Sequence, residues 1–301
     1  MPRRFENVVV PLLTPLSVDE RIDVPALRRM VEFMVATHVD SIFVLGSNGE
    51  GPALRPSERR RLAEETVRAV NGRCAVIAGA IEPSTARVVD EIRNLDGCGL
   101  DGFVATTPFY YSGYSDAELA AHFRTIAGAA PAPLLLYNIP QNTRVVLRAS
   151  VVRALTGTPN IAGLKDSSGD WTEFQALLLD PARPRDFSML QGMQSLSAVS
   201  MLAGADGLVP SFANVHPKLL VDLCAAARAG RVDEALRHQG TLDRMLAVRG
   251  RAILHANKVV ASRMRLMEDH VTQPMPRMSP AEASAFLDAT EAAGFAYPKL
   301  A

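Results

Sequence analysis

Eight short apolar runs, separated by longer amphipathic stretches, limit what this chain can fold into. They are VVVPLL at Val8, SIFVL at Ser41, AVIAG at Ala75, GFVAT at Gly102, PLLLY at Pro133, IAGLK at Ile161, FSMLQ at Phe187 and GLVPS at Gly207. Most are unbroken and not alternating, the pattern of parallel strands covered on both faces. The stretches between them read as helices. Val24, Leu27, Val31, Met34 and Val35 share one helical face with Asp23 as N-cap, and Pro56-Ser57-Glu58 opens a helix that closes near Asn71-Gly72. Eight strands alternating with helices in about 210 residues predict an α/β fold, a (β/α)8 TIM barrel. The competing architecture, a doubly wound sheet, usually carries a Gly-rich phosphate loop after its first strand, and the ThrProLeuSer that starts at Thr14 is not one.

Strand signals stop after Gly207, and the chain from Val215 onward reads as helices. No linker, repeat or low-complexity segment intervenes. The expectation is one domain over residues 1–301, with the barrel over about 6–225 and a C-terminal helical extension over about 226–301, packed on the barrel or on a partner subunit.

Lys+Arg and Asp+Glu are equal at 32 each, so the basic excess of a nucleic-acid binder is missing. Arg59, Arg60 and Arg61 fall in a helical pattern and read as a solvated face. Cys74, Cys98 and Cys224 are scattered and odd in number, which suits reduced thiols in a cytoplasmic protein. The MPRRFENVVV start lacks the long apolar core of a signal peptide, and no stretch approaches the roughly 18 apolar residues of a membrane helix.

A barrel carries its chemistry at the C-terminal ends of its strands. The second run leads into Gly46-Ser47-Asn48-Gly49-Glu50-Gly51, where glycines would let backbone N–H groups approach a small carboxylate and Ser47 and Asn48 add donors. The alternative there is a plain turn. Of only five tyrosines, three (Tyr110, Tyr111 and Tyr137) fall by predicted strand ends. A phenol there can relay protons; otherwise its ring fills core with the hydroxyl satisfied. The sixth run ends in Lys165. Lysine occurs four times (Lys165, Lys218, Lys258, Lys299) among 32 basic residues. A chain that uses arginine for surface charge thus puts lysine behind an apolar strand. Guanidinium cannot form an imine, whereas a desolvated amine can lose its proton and attack a ketone. The alternative is a structural lysine neutralised by Asp166.

The six histidines show no metal-ligand spacing and read as surface or partly buried residues, so no metal site is expected. Neither a GxxxxGK[ST] loop nor a GxSxG elbow occurs. Met193 and Met201 read as core.

Together, GSNGEG, TTPFYY, YNIPQNT and GLKDSSGD resemble, in order and spacing, the dihydrodipicolinate synthase/N-acetylneuraminate lyase family, from about Val8 to the C-terminal helices. The resemblance implies class I aldolase chemistry, in which Lys165 forms an imine with the C2 carbonyl of pyruvate or another 2-oxo acid and no separate cofactor is needed. It implies that Tyr137 shuttles protons, that Ser47 links Tyr137 to Tyr110, and that Tyr110 reaches into a neighbouring subunit's site within a homotetramer, a dimer of dimers. The implied substrate-binding set is Ser47, Asn48, Gly49, Asn142, Ser167, Gly192 and Val209, with Ser47 and Asn48 on the carboxylate and the Val209 carbonyl facing the site.

Departures from the family pattern bear on substrate. Dihydrodipicolinate synthases carry arginine where this chain has Asn142, with Arg144 two residues on. Pro56, Arg59, Pro83 and Arg87 stand where the family's lysine-feedback site would be. Sialic-acid lyases carry an acidic pair where Met193, Gln194 and Ser195 follow Gly192. GSNGE and TPxYYxG look closest to 4-hydroxy-2-oxoglutarate aldolases, and GlyProAlaLeu resembles 2-keto-3-deoxygluconate aldolases. The expectation is a retro-aldol enzyme that releases pyruvate from a 4-hydroxy- or 3-deoxy-2-oxo acid. The alternatives are a synthase condensing with aspartate semialdehyde, a keto-deoxy sugar acid dehydratase, and a barrel that only binds 2-oxo acids.

Overall fold

The computed structural model describes residues 5–248 and 253–297. Eight parallel strands, β1 (Asn7–Pro11), β2 (Ser41–Val44), β3 (Ala75–Gly79), β4 (Gly102–Thr106), β5 (Leu134–Asn138), β6 (Ile161–Asp166), β7 (Ser188–Gln191) and β8 (Gly207–Leu208), close in sequence order into a barrel. Each coincides with one of the eight apolar runs. Around them lie α1 (Val24–Ala36), α2 (Pro56–Val70), α3 (Thr85–Leu95), α4 (Asp116–Ala129), α5 (Pro140–Thr143), α6 (Ala149–Leu155), α7 (Trp171–Leu178), α8 (Ser197–Leu202) and α9 (Pro217–Arg228). The helices α10 (Val232–Ala247), α11 (Ile253–Arg263) and α12 (Pro280–Ala292) follow. No helix among the described residues is long and apolar enough to cross a membrane.

The strands are buried along nearly their whole length because each serves two cores. Residues at one phase of the pleat, including Val9, Phe43, Ile77, Val104, Leu135, Tyr137, Leu190 and Val209, fill the barrel interior. Residues at the other phase, including Val8, Val10, Ile42, Val44, Phe103, Leu134 and Leu136, pack against the helices. Burying each such side chain contributes about 1.5–3 kcal/mol, so a polar residue at either phase would be costly. This explains the unbroken apolar runs.

Helix boundaries follow local chemistry. Asp23 caps α1, its carboxylate accepting the Ala26 N–H at 3.0 Å. Pro56 opens α2, and Asn71 ends it with a left-handed φ of 47°.

Two sequence expectations need correction. Arg59 is not on a solvated face: it is buried, and its guanidinium lies 2.5 Å from Glu82 and 3.4 Å from Glu91. The helical pattern could not show that two carboxylates on neighbouring elements wait for it. Arg87 also binds Glu82, at 2.7 Å. Of the histidines, His122 and His255 are fully inside. His122 bonds Thr85 at 2.8 Å, and burial pushes its imidazole down to about 4, so it is neutral.

Candidate active site

Lys165 reaches the barrel interior through an irregularity in β6. The pairing with β5 shifts between Leu134 and Leu135, whose partners are Ile161 and Gly163, so Ala162 is an extra residue. Ile161 faces the helices and Ala162 the interior; beyond the bulge Leu164 faces the helices and Lys165 the interior. Strict alternation from Ile161 would have turned Lys165 outward. A bulge resets the phase of a strand, and here it aims the amine inward. Gly163 is required beside it, since a Cβ there would lie 2.3 Å from the Ser188 carbonyl oxygen.

Tyr137 pairs with Lys165 across β5 and β6, so the two side chains stand abreast. The Lys165 Nζ lies 3.8 Å from the centre of the Tyr137 ring and 4.8 Å from that of Phe43. Both residues of the pair are buried, Lys165 at 4% exposure and Tyr137 at 2%. Burial pushes the amine below the ordinary lysine value, with the Tyr137 phenol pulling the other way. Asp166 does not neutralise it. That carboxylate accepts from Asn138 at 2.7 Å and from the N–H and hydroxyl of Ser168 at 2.8 and 2.6 Å, and burial pushes it up. Lys258 makes the contrast. It is equally buried but lies 2.5 Å from Glu50. Of these two interior lysines, one is paired with a carboxylate and one is left with a phenol.

The turn after β2 carries Ser47 and Asn48, both partly exposed. Their backbone N–H groups meet no acceptor among the described residues, while the Glu50 N–H bonds the Ser47 carbonyl at 3.3 Å and the Gly51 N–H bonds Gly46 at 3.1 Å. The glycines also serve packing. A Cβ on Gly49 would lie 2.9 Å from the Leu12 carbonyl oxygen, and one on Gly51 2.0 Å from that of Leu45. They let the turn pack on the barrel, while Ser47 and Asn48 stay partly exposed.

Beyond β6, Ser167 is buried, its N–H donating to the Asn138 carbonyl at 2.8 Å and its carbonyl accepting from Gln141 at 2.7 Å. Gly192 lies against it: a Cβ there would be 2.0 Å from the Ser167 hydroxyl. Val209 points into the interior cluster. Gln194 is structural, holding Ser211 at 3.0 Å and the Phe212 N–H at 2.8 Å. Asn142 is exposed on α5, ahead of exposed Arg144. Tyr110 has φ 77° and is 87% exposed, stacked edge-on with Tyr111, itself 69% exposed. Among the described residues no three His, Cys, Asp or Glu side chains could hold a metal ion.

A family model for the dihydrodipicolinate synthetase family matches residues 4–292. The chain belongs to that family. It is accordingly an enzyme, a carbon–carbon lyase of the class I aldolase type. The 4-hydroxy-tetrahydrodipicolinate synthase of Aromatoleum aromaticum is 33% identical over 95% of this chain and 97% of its own length. An uncharacterized DapA-like lyase of Halobacterium salinarum is 36% identical over 80% of this chain and 78% of its own. The structure of dihydrodipicolinate synthase from Bacteroides thetaiotaomicron superposes with a TM-score of 0.90 at 30% identity, covering 95% of this chain and 98% of that one. The family as a whole uses pyruvate. Sequence reasoning had the motif residues of this family member but missed Phe43 beside the amine and the Glu50–Lys258 pair. Only the rarity of lysine hinted at the second.

Proposed function

We propose that this family member releases pyruvate from a 4-hydroxy- or 3-deoxy-2-oxo acid, of the 4-hydroxy-2-oxoglutarate or 2-keto-3-deoxygluconate type, through an imine on Lys165. The carrying observation is an amine buried without a carboxylate partner and abreast of a phenol. The neutral amine attacks the C2 carbonyl; Tyr137 then protonates the departing hydroxyl, so that water leaves, a protonated imine remains and the phenolate is ready to act as base. Tyr137 takes the proton from the C4 hydroxyl as the C3–C4 bond breaks. The electron pair flows into the imine, giving an aldehyde and an enamine. Protonation at C3 and hydrolysis return pyruvate and the free amine. The imine is the electron sink, so neither metal nor organic cofactor is needed. Ser47, Asn48 and Gly49 hold the carboxylate, Ser47 relays protons towards Tyr110, and Ser167, Gly192, Val209 and Asn142 border the remaining substrate. The reading also includes a cytoplasmic location and a homotetramer, the latter supported by the exposure of Tyr110 and Tyr111.

A second reading, condensation of the enamine with aspartate semialdehyde, is favoured by the names of relatives such as that of Aromatoleum aromaticum. Neutral Asn142 weighs against it.

Incubation with pyruvate and borohydride, read by intact mass and peptide mapping, tests the core. One reduced pyruvyl adduct is expected on Lys165 and none in Lys165→Ala. An unlabelled protein, or a label on Lys258, sinks the reading. Tyr137→Phe should slow turnover by roughly 10²–10⁴-fold. Assays of 2-oxo acids for pyruvate release, with and without aspartate semialdehyde, decide between the two substrates, and Asn142→Arg should raise condensation.

A further inference from the structure

The Ser47-Asn48 turn is held from below by the far end of the chain. Glu50, in the left-handed region at φ 55°, turns its carboxylate into the protein and is 1% exposed. Its Oε1 lies 2.5 Å from the Lys258 Nζ on α11. Its Oε2 accepts the Thr272 N–H at 2.6 Å and the Thr272 hydroxyl at 2.8 Å. Lys258, itself 0% exposed, also donates to the Thr14 carbonyl at 2.8 Å and the His270 carbonyl at 2.5 Å. Thr14 closes the circle, its hydroxyl donating to the Gly49 carbonyl at 2.6 Å. One ammonium and one carboxylate thus lock three segments: the β1 exit, the turn after β2, and the 270–272 strap.

We propose that Glu50 and Lys258 are positioning residues, whose ion pair fixes the turn so that Ser47, Asn48 and their free N–H groups are set for a substrate carboxylate. This rests on the reading of that turn as the carboxylate-holding element. A buried pair is a weak source of net stability, since desolvation offsets most of the attraction. What it supplies is geometry: removing either charge leaves the other buried without its counter-charge, and the turn must shift to compensate. Neither group touches the imine carbon, so the effect falls on substrate capture and not on the chemistry at Lys165.

The test follows borohydride trapping at Lys165 against pyruvate concentration in the full-length wild type, Glu50→Gln and Thr272→Val, with a thermal midpoint for each. The half-saturating pyruvate concentration should rise roughly ten- to hundredfold in Glu50→Gln and less in Thr272→Val. The limiting trapping rate should stay within about threefold of wild type. Unchanged saturation in a folded Glu50→Gln overturns the proposal, whatever its thermal midpoint, because the pair would then only fasten the fold. A loss confined to the limiting rate overturns it as well. Should Glu50→Gln fail to fold, Thr272→Val decides: it keeps both charges and the Thr272 N–H bond, and wild-type saturation in it refutes the positioning role. A wild type that takes no label at Lys165 is a different failure, that of the proposed function.

Discussion

Two buried lysines in one chain show that an amine's neighbours decide its use. Lys258 has a carboxylate at 2.5 Å, whereas the flanks of Lys165 are aromatic rings. An unpaired buried amine is costly to stability, and the cost depends on pH. Above the ordinary lysine value the amine is neutral in both the folded and unfolded chain. As the pH falls below it, the unfolded chain takes up a proton that the folded site resists, so stability is lost until the depressed folded value is passed. Lys165→Met, similar in volume, should therefore melt higher than wild type at neutral pH, with the gap narrowing towards about pH 10.4. Thermal midpoints across that range check this; a variant that melts lower at neutral pH would show that the amine is stabilising. The trapping rate should likewise persist to lower pH than a free lysine allows.

At the scale of elements, the sequence carried more of the framework than of the aim. The eight runs mapped onto strands because each strand is buried on both sides, and that leaves a compositional mark. Asp23 and Pro56 gave their helix starts through capping chemistry that is local. The β6 bulge left no such mark: whether Lys165 faces inward depends on one extra residue, Ala162, set against Leu134 and Leu135. Arg59 was misread for a related reason, since its partner Glu82 comes from another element. Gly163→Ala tests the bulge. Its methyl would meet the Ser188 carbonyl at 2.3 Å, so β6 and β7 must part or the bulge must move. We expect a loss of about 1–3 kcal/mol or more and a fall in trapping larger than the stability loss explains, measured by denaturant titration and borohydride labelling. Wild-type behaviour on both counts would mean that the bulge does not aim the amine.

At the scale of the whole molecule, α11 and α12 share one apolar cluster with the barrel helices: Val259, Val260, Met264 and Phe286 belong to the same core as Leu27 and Met30. We propose that residues 1–301 fold as one domain. Tyr110 and Tyr111, just past β4, are large side chains that the single chain leaves open, and replacing both with serine should shift a tetramer towards smaller species and cut turnover about tenfold or more. Sedimentation velocity with parallel assays checks it; an unchanged assembly would remove these tyrosines from the contact. The Glu50 carboxylate has its partners at Lys258 and at Thr272, the latter 222 residues downstream. During synthesis all eight strands leave the ribosome before those partners do. A nascent chain therefore carries Glu50 without either partner, and on the proposed function a chain truncated before Lys258 should keep Lys165 but bind the keto acid poorly.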